Sequence, residues 1–287
     1  MSHHHDTTEI DWDVMAPLLE RAAELNRPVH QRAAAWIAEQ LSVGGVRRIL
    51  DVGSGPGVVT CLLAEVFPYA EVVAVDASPA LLDRARQRAA RTGLDGRVHT
   101  LRAELPQDMG ELGGADLVWA GNSLHHIGDQ RAALRGFAGL LRPGGILAVA
   151  EGGLTARHLP RDTGIGRPDL EARLDAAGAE WFEEMRAKLP GSRREVEDWR
   201  ALLTAAGLTP SGTRSFLLDI PAPLPGAVRE QLVAHFTRQR EIFADRLTAE
   251  DAAAIDVLLA PEDPRGLLLR DDTYLLTTRT VHTARRG

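Results

Sequence analysis

Between residues 47 and 150 short apolar runs alternate with amphipathic stretches, and this alternation restricts the fold more than any other feature of the chain. Arg47 to Val52, Glu71 to Val75, Val98 to Leu101, Asp116 to Ala120 and Ile146 to Ala150 read as strands. Val59 to Phe67, Ala80 to Thr92 and Arg131 to Leu141 read as the helices between them. Such a βαβα pattern implies a parallel sheet with right-handed crossovers and helices on both faces. Ligands of these sheets bind beyond the carboxyl ends of the strands.

The flanks are mainly helical. Trp12 to Leu41 carries apolar residues at helical spacing, and Pro28 is expected to divide it into two helices. Leu170, Leu174, Ala177, Trp181 and Met185 predict one helix after the alternating region; Val196, Trp199, Leu202 and Leu203 predict another, stopped at Gly207. Arg214 to Ile220 reads as a strand and Val228 to Leu247 as a long helix. Thr248 to Leu259 reads as a helix opened by the pair Thr248 and Asp251, and Thr273 to Thr283 as a final strand. Pro221, Pro223 and Pro225 mark a rigid connection between them. The expected division is a helical lead-in (1–45), an α/β core (46–153), a helical lid (154–210), and a last strand pair (211–287) with a helical insertion at 225–260.

One enlarged α/β domain accommodates 287 residues. With 44% hydrophobic and 25% charged residues, the composition excludes extended disorder and a coiled coil. Cys61 is the only cysteine, which rules out intrachain disulfides and thiolate zinc clusters. A net charge of -7 disfavours nonspecific nucleic-acid binding, so a small-molecule partner is expected. No run approaches the roughly 18 apolar residues of a membrane span, and the polar, acidic start is unlike a signal peptide. A cytoplasmic protein with no membrane partner is the expectation. Lys188 is the only lysine among many arginines, a bias of composition before function, and His3, His4 and His5 are set aside from the chemistry.

Ile49-Leu50-Asp51-Val52-Gly53-Ser54-Gly55-Pro56-Gly57 leads from a buried strand through a glycine turn into a helix, the form of a nucleotide-type ligand loop. Glycines let the backbone approach a ligand, and the helix behind presents free N–H groups. Asp76 ends the second strand, where a carboxylate can accept both ribose hydroxyls. A structural turn with a capping aspartate would explain either element alone.

Together with Ala120-Gly121-Asn122-Ser123-Leu124-His125-His126 after the fourth strand and Leu141-Arg142-Pro143-Gly144-Gly145 before the fifth, these residues resemble the class I S-adenosylmethionine-dependent methyltransferases. Asp51, Gly53, Gly55 and Gly57 match the acidic residue and G-x-G-x-G of that family's first motif. The resemblance covers about residues 45 to 151. It implies a Rossmann-like doubly wound sheet of about seven strands, mostly parallel with an antiparallel last strand, and helical lid insertions. By the resemblance, Asp51, Gly53, Ser54 and Gly55 line the cofactor S-adenosyl-L-methionine, with S-adenosyl-L-homocysteine as product. Asp76 binds the ribose diol, Ala77 and Ser78 lie beside the adenine, which Ala103 meets through its backbone, and Gly121 and Asn122 lie near the methionine portion. Arg102 stands where an acidic adenine contact is common in the family, and Glu104 reads as a solvated charge.

The implied reaction moves a methyl group to an O or N atom of a small molecule. An activated methyl needs positioning first, while a base helps only if the acceptor must lose a proton. His125, His126 and Glu151 are the base candidates, Glu151 having a loop hydrogen bond as its plainer reading. Trp119-Ala120-Gly121-Asn122-Ser123 lacks the carboxylate that metal-dependent catechol-type enzymes place there, so no metal is expected. His235 reads as a core histidine, His30 as a helix cap, and Trp12 and Trp181 as core residues or covers of the pocket. Arg157, Arg161, Arg167 and Arg173 could hold an acidic acceptor but read as solvated surface. A nonenzymatic S-adenosylmethionine-binding regulator is the alternative. An NAD-dependent oxidoreductase is weaker, because Val58 occupies the last glycine position of G-x-G-x-x-G.

Overall fold

The computed structural model describes residues 12–287, with side chains from residue 16 onward. His3 to His5 and the side chains of Trp12 and Met15 lie outside the described residues. The lead-in forms α1 (Trp12–Leu25) and α2 (Arg27–Gln40). The break falls at Asn26, and Pro28 sits in the first turn of α2, where a missing N–H costs no helical bond.

The alternating region becomes β1 (Arg48–Val52), α3 (Val58–Val66), β2 (Glu71–Asp76), α4 (Pro79–Arg91), β3 (Val98–Arg102), β4 (Ala115–Gly121), α5 (Gln130–Leu140) and β5 (Leu141–Ala150). Beyond it lie α6 (Leu170–Lys188), α7 (Trp199–Ala205), β6 (Thr209–Ile220), α8 (Gly226–Ile242), α9 (Ala249–Leu259) and β7 (Leu275–Arg285). The seven strands form one sheet in the order β3-β2-β1-β4-β5-β7-β6. β1 to β5 pair in parallel, and β7 runs antiparallel to both β5 and β6. The last two strands therefore pair as the sequence predicts.

Period-two alternation sends successive side chains to opposite faces, and both faces are covered. Ile49, Trp119, Ile146 and Ala148 pack with α2, α3, α6, α8 and α9 around Phe67, Leu170, Phe236 and Leu258. Leu50, Val118, Leu147 and Val149 pack on the other face with Phe137 of α5 and Trp199, Leu202 and Leu203 of α7. Glu20 fastens α1 to α4 through Arg84, Arg88 and Arg91.

Several ends differ from the sequence expectation. β6 begins at Thr209, earlier than Arg214, because Thr209, Pro210 and Gly212 find partners on β7 across an irregular register that Pro210 and Gly212 disguise in the sequence. The long helix stops at Ile242, and Val196 lies exposed ahead of α7, whose N-cap Asp198 accepts the Ala201 N–H at 3.0 Å. The α9 cap is as expected: Thr248 Oγ1 accepts the Asp251 N–H at 3.1 Å. Among the described residues no helix is long and apolar enough to cross a membrane.

Candidate functional site

The glycine loop leaves the carboxyl end of β1 and enters α3 with Gly53, Gly55 and Gly57 all at positive φ, from +53° to +77°. Two of them are also places of close approach. A Cβ at Gly57 would lie 2.6 Å from Ala85 Cβ, and one at Gly53 would lie 2.5 Å from Ser123 Cβ. Gly55 instead faces open space, so its backbone is exposed to whatever occupies the loop. The Ser54 and Ser123 hydroxyls are buried without partners on either side of Gly53. Buried hydroxyls of this kind are normally satisfied, so the two mark the loop as a place built to meet further polar atoms.

Two carboxylates organise this corner. Asp51 is 2% exposed and accepts the Thr60 hydroxyl at 2.6 Å from the first turn of α3. Burial pushes its carboxyl up to about 7, the Thr60 hydrogen bond opposes that rise, and Asp76 adds to it. Asp76 at the end of β2 accepts N–H groups from Gly55 and Ser78, each at 2.9 Å. Burial raises its carboxyl as well, against those hydrogen bonds. Ala77 is exposed beside it, and Ser78 caps α4 through the Leu81 N–H at 3.3 Å. The Ala103 N–H is already donated to the Asp76 carbonyl at 3.1 Å. Arg102 and Glu104 face solvent 3.9 Å apart.

The third candidate group stands at the ends of β4 and β5. Gly121 closes β4, Asn122 follows at φ +49°, and its N–H is donated to the Ala150 carbonyl at 3.0 Å. A short 3-10 turn then carries Leu124, His125 and His126. Glu151, immediately after β5, holds this turn from below. Its Oε1 accepts the N–H groups of Ser123 and Leu124, each at 2.9 Å, and its Oε2 lies 3.0 Å from His125 Nδ1. The loop hydrogen bond that sequence reasoning set against a chemical role for Glu151 is present, and the same carboxylate also orients a histidine. His126 stacks on His125 at 4.2 Å and is exposed. Arg186 of α6 donates to the His125 and Ile127 carbonyls at 2.8 and 2.7 Å, and Phe182 of the same helix lies 5.8 Å from the His125 ring. The C-terminal half of α6 is thus pinned to the histidine turn.

A carboxylate accepting two backbone N–H groups keeps its remaining oxygen as an acceptor, so His125 Nδ1 is the donor in this pair. Nε2 is then left as the lone-pair nitrogen, able to take a proton.

Two histidines differ from expectation. His30 does not cap a helix: its ring is buried within α2, edge-on to Trp119 at 6.2 Å, and burial lowers its pKa to about 4. His235 is exposed, not in the core, and borders a cleft between α6, α8 and the chain after β5. Trp181 is partly buried against the apolar core. Sequence reasoning also missed Thr60 as the partner of Asp51, although a threonine on the helix following the glycine loop is a usable signal. It missed Phe182, Gln239 and Arg279 in that cleft, which no local pattern connects.

A family model described as a methyltransferase domain matches residues 50–147. A trans-aconitate 2-methyltransferase of Methylobacterium nodulans is 32% identical over 202 residues, covering 69% of each chain. That of Methylobacterium radiotolerans is 36% identical over 118 residues, 41% of this chain and 43% of the relative. A protein of Synechococcus is 37% identical over 164 residues, 54% of this chain and 39% of the relative, so the chain spans about two fifths of the length of both this relative and the second Methylobacterium one. An O-methyltransferase family protein of Burkholderia thailandensis has the same fold, with TM-score 0.50 at 17% identity over 92% of this chain and 58% of that one. Sheet order, glycine loop and these likenesses agree, and the chain belongs to the class I S-adenosylmethionine-dependent methyltransferase family.

Proposed function

We propose that the chain is an S-adenosylmethionine-dependent methyltransferase acting on an O or N atom of a small molecule, with His125 as general base. The observation that carries the base assignment is the His125 Nδ1 to Glu151 Oε2 contact at 3.0 Å, at the strand ends where this fold binds its ligands. When bound, S-adenosylmethionine supplies a methyl on a positively charged sulfur, which the acceptor's lone pair displaces to leave S-adenosylhomocysteine. The residues at the loop suit that molecule. The open backbone at Gly55, with the unpartnered hydroxyls of Ser54 and Ser123, would receive its methionine end, beside Asp51, Gly121 and Asn122. Asp76, flanked by Ala77 and Ser78, would accept from the ribose diol. Ala103 would serve the adenine end through its backbone, its N–H holding the Asp76 carbonyl while its side chain is packed in the core.

His125 Nε2 takes the proton that the acceptor loses as its new bond to carbon forms. Glu151 is a positioning residue: it fixes the ring and the tautomer and favours the imidazolium that forms. His126 packs against His125, and among the described residues its ring has no hydrogen bond that would orient it as a base. The lid contacts of Arg186 and Phe182 hold the turn and help to exclude water.

Single-turnover methyl transfer from labelled S-adenosylmethionine into a fractionated metabolite pool tests this reading. General-base assistance is worth about 10²- to 10⁴-fold, so His125→Ala should lower the rate by that factor with cofactor affinity intact. Glu151→Gln should also lower the rate and displace the pH profile, whereas His126→Ala should change it less than tenfold. Unchanged rates in His125→Ala would remove the base assignment, and no labelled product from the wild type would remove the activity itself.

A further inference from the structure

The lid arginines are consumed by carboxylates. Arg157 pairs with Asp175, Arg161 with Asp169, Arg167 with Glu250 and Asp251, and Arg173 with Asp251. Arg279 of β7 is different. It is half-buried in a cleft of about 510 Å³ that it shares with Gly153, Phe182, His235 and Gln239, and its side chain makes no hydrogen bond or ion pair among the described residues.

A guanidinium withdrawn from water without a partner is costly, and burial holds its pKa below the ordinary value, with Glu151 offsetting this only through space. The other charges at the cleft are already engaged. Glu171 accepts from the His158 and Leu159 backbone and faces His158 Nδ1, and Asp175 takes Arg157. Gln239 Oε1, an acceptor, is a buried atom at the cleft without a partner among the described residues. Gly153, at φ +123°, lets the chain after β5 run close against β7 beside Arg279: a Cβ there would lie 2.2 Å from the Thr278 carbonyl oxygen and 3.2 Å from Arg279 Cα. Phe182 borders both the cleft and the His125 ring, so the cleft adjoins the proposed base.

Resting on the methyltransferase reading above, we infer that this cleft is the acceptor site and that the acceptor is a small organic acid whose carboxylate pairs with Arg279. A planar guanidinium suits a carboxylate through two parallel N–H donors. Gln239 Oε1 receives a hydroxyl or amine hydrogen of the same molecule. The anchored acid then lies along Phe182 toward His125.

Calorimetric titration of the protein saturated with S-adenosylhomocysteine tests the inference. The probes are lactate, malate and salicylate, each against its uncharged amide: lactamide, malamide and salicylamide. At least one acid should bind, with its amide at least tenfold weaker. Arg279→Met should weaken that acid at least tenfold and Arg279→Lys should restore part of the loss, with S-adenosylhomocysteine affinity unchanged in both. Binding by none of the acids, equal binding of acid and amide to the wild type, or undiminished binding to Arg279→Met would overturn the acid site while leaving the methyltransferase reading in place. Failure of the wild type to bind S-adenosylhomocysteine would overturn both.

Discussion

The two sides of the site are built by opposite means. On the glycine-loop side most working parts are close in sequence: Asp51, the three glycines, Thr60 and Asp76 all lie between β1 and the end of β2, and both carboxylates are hydrogen-bonded, while the Ser54 and Ser123 hydroxyls have no partner among the described residues. On the cleft side Gly153, Phe182, Gln239 and Arg279 come from four separate segments, and two of them keep a polar group without a partner. In the proposed reading the local side would present backbone and fixed carboxylates to the cofactor that the family shares. The assembled side, in the proposed reading, varies with the acceptor, and its side chains wait for groups that only a particular acceptor brings. Glu151 joins the two, because one carboxylate fixes both the turn after β4 and the ring of His125.

Damage to the local side should therefore be the more severe. Gly57→Val forces a side chain into positive φ and against Ala85. The combined strain and overpacking should cost about 2–5 kcal/mol, read as a lower denaturation midpoint. Full stability in that variant would mean that the close packing of α3 on α4 is dispensable.

Asp51 gives a pH test of the same corner. Its folded-state pKa is raised from 3.8 to about 7, so the neutral form is favoured by folding. That contribution is fully present below about pH 4 and is lost as pH rises through about 7, so stability falls steadily between those limits. Denaturation at pH 5 and pH 8 should show the wild type losing stability relative to Asp51→Asn. A parallel pH dependence in the two proteins would place the titration elsewhere.

On the assembled side, effects should be smaller and should spare the cofactor. Asp251 is buried and held by Arg167, Arg173 and Thr248. Removing Arg173 leaves its other partners, so Arg173→Leu should cost about 1–3 kcal/mol of stability without weakening S-adenosylmethionine. Thr248→Ala removes the α9 cap and the hydroxyl donated to Asp251, and should cost about 1–2 kcal/mol. A loss of cofactor affinity in either variant would show the two sides to be coupled.

The same contrast explains what could be read in advance. The strands of the parallel region announce themselves because burial on both faces makes them continuous apolar runs, as in Ile49-Leu50 and Val72-Val73-Ala74-Val75. The glycine loop is legible because its dihedrals demand glycine. The pairing of β6 with β7 follows from the family resemblance, yet the start of β6 was hidden by Pro210 and Gly212. His125, His126 and Glu151 could be nominated by position, but the sequence could not rank them, because the ranking depends on which ring a carboxylate in another strand touches. His235 sits on an apolar helix face in sequence and at a cleft edge in space, since helical spacing does not tell whether a neighbouring element fills the face. Arg279 looks like one more arginine of an arginine-rich chain, and what sets it apart is its half-buried place in a cleft with no hydrogen bond or ion pair among the described residues.

The most direct measurement is a calorimetric titration of wild type and Asp76→Ala with S-adenosylmethionine, accompanied by circular dichroism of the variant. The wild type should bind one equivalent, and the variant, still folded, should bind more weakly by roughly 1.5–3 kcal/mol, the worth of hydrogen bonds to a charged group. Equal affinity in the two proteins would contradict the placement of the cofactor at the glycine loop and β2, and binding of NADH in place of S-adenosylmethionine would contradict the cofactor itself.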